Sequence, residues 1–142
     1  MIYTEMTEKA LKLCFEAHKD QLDKSGMPYV FHPFHLAEQM KTEDETIVAL
    51  LHDVVEDPAT SIADLISMNF NENVIEAISL LTHDADVDYF DYVRAIKENE
   101  IARTVKLADL RHNSDLSRLR IVDEWALKRN EKYLKAIKIL TE

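Results

Sequence analysis

The chain has 142 residues, 46% of them apolar, and a formal charge of −10 at neutral pH. That length suits a single domain over residues 1–142 that buries roughly two-thirds of its unfolded surface, and the charge argues against nucleic acid, which needs a basic face. One Gly and three Pro leave few tight turns and point to an all-α fold, a compact bundle of roughly eight helices.

Residues 1–8 lack the basic and apolar regions of a signal peptide, and no run of about 18 apolar residues offers a membrane span. Residues 5–20 read as a helix capped by Thr4, with Ala10, Leu13, Cys14 and Ala17 at helical spacing and His18 next on that stripe. Cys14 is the only cysteine, so neither an internal disulfide nor a thiolate-rich metal site can form, and a reducing cytoplasm is the simplest location. Residues 23–28 hold the only Gly and form a loop. Pro33 opens a second helix in its first position, with His32 left at the mouth.

A capping box at Thr42 and Glu45 starts the central helix. Its later part, residues 49–58, carries four ionisable side chains beside a core stripe. His52 and Glu56 are four apart, as are Asp53 and Asp57, so on a continuous helix each pair shares a face. Leu50, Leu51, Val54 and Val55 take the other side, and Pro58 stops the helix at about Asp57. A short helix at 62–68 follows Thr60 or Ser61. Another at 72–82 is capped by Asn71, and one at 89–98 comes after an acidic loop. Residues 100–113 put Ile101, Val105 and Ala108 on an apolar stripe that Asp109, His112 and Asn113 extend. The last helix, 123–141, has Asp123 as cap and Leu127, Leu134, Ile137 and Leu140 facing inward.

Imidazoles and carboxylates without thiolate suit a divalent Mn, Fe, Zn or Mg ion. His52 and Asp53 cannot close such a site alone, and His32 and Asp109 are the candidates from other elements. Taken singly, each also reads as an ordinary core or surface group.

Taken together, His32-Pro33, His52-Asp53 with Glu56-Asp57, and the run Lys106-Leu107-Ala108-Asp109-Leu110-Arg111-His112-Asn113 resemble the HD metal-dependent phosphohydrolases. More narrowly, the chain resembles the hydrolase domain of the RelA/SpoT alarmone enzymes and its small standalone relatives. Ala17-His18, Gln21, Lys24-Ser25-Gly26 and Pro28-Tyr29 belong to the same likeness. The resemblance implies an all-helical fold holding one Mn²⁺ through His32, His52, Asp53 and Asp109. It puts the catalytic acidic pair at Glu56 and Asp57, with Glu56 serving the attacking water and Asp57 supporting it. The implied reaction removes pyrophosphate from the 3′ position of guanosine tetra- or pentaphosphate. Lys24, Ser25, Asn113, Arg111 and Tyr133 are the implied contacts to this nucleotide, with Arg129 a further counter-charge; Arg118 reads equally as solvated surface.

Two departures fall where substrate would lie. Asp23 stands where relatives carry an Arg that packs on the base, and Leu110 separates Asp109 from its basic neighbour Arg111. Alternatives are therefore the same chemistry on another nucleotide or phosphorylated dinucleotide, and a silent metal- or nucleotide-binding module. The metal and the oligomeric state are left open.

Overall fold

The computed structural model describes residues 1–56 and 59–142. Among these residues it has eight α-helices: α1 (Glu5–His18), α2 (Phe31–Glu38), α3 (Glu43–Leu51), α4 (Ile62–Ser67), α5 (Glu72–Leu81), α6 (Tyr89–Lys97), α7 (Glu100–Asn113) and α8 (Glu124–Thr141). Two 3₁₀ turns, Val54–Glu56 and Leu116–Arg118, link them, and the described residues contain one isolated antiparallel bridge, between Leu22 and Pro28. The all-α expectation therefore holds. No helix among the described residues is long and apolar enough to cross a membrane.

The core is organised around α3. Residues Thr46 to Leu51 are all buried, and α3 packs against α1, α2, α5 and α7. A helix apolar on all sides is stable only when enclosed in this way. The Thr42 side chain accepts from the Glu45 amide at 3.1 Å, as a cap should. The Glu45 carboxylate reaches back to the Lys41 amide rather than that of Thr42.

Three expectations are corrected. First, α3 does not continue to Asp57: it ends at Leu51 with His52 as its cap residue. The cause is local, because His52 Nδ1 donates to the Ala49 carbonyl at 2.6 Å. In a continuing helix that carbonyl would take the Asp53 amide. Second, Pro33 is the third residue of α2, so His32 lies inside the first turn. The missing amide of Pro33 still falls among the donors that a helix start leaves unpaired. Third, Leu127 and Leu134 are 48% and 53% exposed. α8 packs on α6 and α7 through Ala126, Ala136 and Leu140, with Tyr133 and Ile137 half-buried, so its seam lies one residue round from the expected one.

Candidate active site

Three elements converge beside the end of α3. His32 comes from the first turn of α2, His52 from the cap of α3 and Asp109 from α7. All three are buried, and one ligand atom of each lies within 4.8 Å of the other two. His32 Nε2 is 2.8 Å from Asp109 Oδ1, and His52 Nε2 is 3.8 Å from the same oxygen. Asp53 Oδ2 lies beside this trio, 3.2 Å from His52 Nε2.

The donor set fits a divalent ion. With Nδ1 committed to Ala49, His52 presents Nε2 to the cluster, where that atom is buried without a hydrogen bond of good geometry. A metal-ligating histidine is ordinarily fixed in this manner by a carbonyl behind it. Burial opposes a charge on His52, but the Asp53 and then the Asp109 carboxylates override it and push its pKa up to about 9. A proton thus stands where a cation would compete for the same lone pair. Asp109 is held well below the usual carboxylate range despite burial, chiefly by Lys106 and the two histidines.

The surrounding contacts orient these groups. The Tyr29 hydroxyl donates to Asp53 Oδ2; burial and the Asp53 charge keep that phenol protonated. Lys106 Nζ donates to Asp109 Oδ2 at 2.9 Å, and Asn113 Nδ2 to Asp109 Oδ1 at 2.9 Å. His112 Nδ1 lies 2.7 Å from His32 Nδ1. Partial burial, with Arg118 and His32 nearby, pushes the pKa of His112 down to about 4, so its ring is neutral. Glu56 follows Asp53 in the 3₁₀ turn, its amide bonded to the Asp53 carbonyl. Partial burial and the Asp53 charge raise the pKa of its carboxyl. Asp57, expected as its partner, lies outside the described residues.

A cavity of about 300 Å³ opens beside this cluster, touching it at Tyr29, His32 and Asn113. Its polar lining includes Lys24, Arg118, Arg129 and Tyr133 together with the acidic Asp23 and Asp115, and its apolar lining Leu22, Leu116, Leu119 and Ala126. Burial and the charges of Arg129 and Lys132 lower the pKa of Lys24, so cations are crowded here on an otherwise acidic chain. The lining brings Lys24, Ser25, Asn113 and Tyr133 together; Arg111 is exposed and is not in the lining. Ser25 spends its hydroxyl on the Arg118 carbonyl at 3.0 Å, while Arg118 donates to the His112 carbonyl at 2.9 Å. Lys106 lies three residues before Asp109, one turn away on α7, whereas Tyr29 reaches Asp53 from the turn before α2, which no helical spacing signals.

No protein-family model matches the chain. It is 30% identical over 144 residues to the guanosine-3′,5′-bis(diphosphate) 3′-pyrophosphohydrolase MESH1 of Danio rerio, covering 92% of this chain and 79% of that one. It is 34% identical over 111 residues to the putative GTP diphosphokinase RSH1, chloroplastic, of Arabidopsis thaliana, covering 75% of this chain. The chain spans only 12% of the length of that relative. A solved structure described as a metazoan ortholog of SpoT that hydrolyzes ppGpp superposes with a TM-score of 0.73 at 25% identity, covering 99% of this chain and 85% of that one.

Proposed function

The chain belongs to the guanosine-3′,5′-bis(diphosphate) 3′-pyrophosphohydrolase family, and we propose that it hydrolyses guanosine tetra- or pentaphosphate, releasing the 3′-pyrophosphate with Mn²⁺ as its ion. The observation that carries this reading is the convergence of His32, His52 and Asp109 at the edge of a cleft whose lining includes Lys24, Arg118 and Arg129. Residues 1–142 act as one domain in this reading, and the lone buried Cys14 suits a reducing cytoplasm.

His32, His52, Asp53 and Asp109 would hold the ion. When bound, it supplies Lewis acidity to a water and to a phosphoryl oxygen. Glu56, three residues after Asp53 and with its carboxyl pKa raised, would accept a proton from that water. Tyr29 steadies Asp53, and Asn113 steadies Asp109. Lys24, Arg118 and Arg129 offset the charge of the diphosphates, and Tyr133 and the leucine wall give the nucleoside a surface to lie against.

The test is turnover by purified, Mn²⁺-loaded protein against guanine and adenine nucleotides with and without a 3′-diphosphate. Phosphorylated dinucleotides belong in the same panel, because Asp23 replaces the base-packing arginine. Pyrophosphate release confined to 3′-diphosphates is expected. Turnover of only another phosphorylated nucleotide would move the chain to the alternative substrate, and no hydrolysis at all would leave a binding module.

A further inference from the structure

We propose that Lys106 is a positioning residue that keeps Asp109 a one-oxygen ligand and holds down the affinity of the centre for its divalent ion. The proposal rests on the metal-centre reading above.

Lys106 sits one turn before Asp109 on α7, with its side chain only 14% exposed. Its ammonium is 2.9 Å from Asp109 Oδ2 and 5.4 Å from the ring centroid of Tyr92, whose hydroxyl is pinned to the Leu81 carbonyl at 2.7 Å. The two oxygens of Asp109 are therefore divided. Oδ1 faces His32 and His52 and takes the Asn113 amide, while Oδ2 is turned to the lysine.

Two consequences follow from the chemistry. A carboxylate whose second oxygen is occupied by an ammonium cannot chelate, so it leaves a coordination position free for water or a phosphoryl oxygen. A fixed cation beside the ligand also repels a dication, at an effective dielectric that does not screen it away. A buried ammonium beside a metal ligand is thus unfavourable for metal binding. A lysine that merely braced α7 would weaken the centre when removed, whereas Lys106 in the proposed role would strengthen it. The two roles predict opposite signs.

The experiment measures Mn²⁺ affinity by calorimetry and counts waters on bound Mn²⁺ by proton relaxivity, with circular dichroism to confirm folding. Lys106→Met should bind Mn²⁺ about tenfold tighter or more, with one bound water fewer as Asp109 closes through both oxygens. Lys106→Gln keeps a donor for Oδ2 and loses only the charge, so it should bind more tightly with the wild-type water count. It also stands in if the methionine variant does not fold. Lys106→Arg should stay within about twofold of wild type, since the charge is kept. Weaker or equal Mn²⁺ binding by the folded charge-neutral variants would overturn the proposal, as would an unchanged water count in Lys106→Met. A wild-type protein that takes up no Mn²⁺ would overturn the functional reading itself and the proposal with it.

Discussion

Asp23 marks the point where substrate recognition departs from the arginine-bearing pattern, and the structure changes what its replacement would test. Its Oδ1 accepts from the Ser25 amide at 2.9 Å and from the Met27 amide at 3.0 Å, while its own amide donates to the Met27 carbonyl at 2.8 Å. The carboxylate is the internal brace of the loop that carries Lys24 and Ser25 into the cleft. Gly26, at φ +80°, completes the turn in a conformation that side-chain-bearing residues resist. Each brace bond is charge-assisted but partly solvated, so losing both should cost about 1–2 kcal/mol of loop order. If that order is recovered from binding energy, KM rises about five- to thirtyfold. Asp23→Ala should show that rise at unchanged kcat in a steady-state assay, because loop order lost before binding costs the same in ground and transition states. Asp23→Asn keeps the Oδ1 acceptor and should stay within about twofold. Asp23→Arg combines the lost brace with a stacking gain of about 1–2 kcal/mol, so the two largely cancel and that variant alone decides little. Wild-type KM in Asp23→Ala would refute the brace. An equal rise in the Asn and Ala variants would mean that the charge matters rather than the acceptor.

Glu56→Gln should lower kcat about 10²–10⁴-fold while calorimetric Mn²⁺ affinity stays at the wild-type value; an empty centre would make Glu56 a ligand instead. Tyr29→Phe removes the hydroxyl that steadies Asp53 and should weaken Mn²⁺ binding about tenfold or more, read by calorimetry, with unchanged affinity counting against that role. Leu50→Ala empties a fully buried site on the central helix and should destabilise the protein by about 2–5 kcal/mol, read by urea unfolding.

Much of this architecture was legible because it is local. Thr4, Asn71 and Asp123 cap their helices through side-chain bonds that their positions in the sequence announce. The end of α3 was not legible, because it turns on a histidine ring reaching back for a carbonyl, which no hydrophobic period records. The consequence is functional. On a continuous helix His52 and Asp53 would diverge by about 100°; with the helix ended at Leu51, both stand at its tip and meet at one point. Arg111 shows the converse, a position that helix geometry turns away from the cluster. Two residues beyond Asp109, it points about 200° round α7 from the centre, while Asn113, four beyond, returns to the same face. Arg118, on a 3₁₀ turn after α7 where no periodicity could place it, lines the cleft instead. Its carbonyl takes the Ser25 hydroxyl and its guanidinium the His112 carbonyl, so one residue ties the loop braced by Asp23 to the helix end that carries Asp109. Mn²⁺ affinity measured beside KM in Asp23→Ala therefore separates a loop effect confined to substrate, which leaves that affinity at the wild-type value, from one passed to the centre through Arg118 and His112.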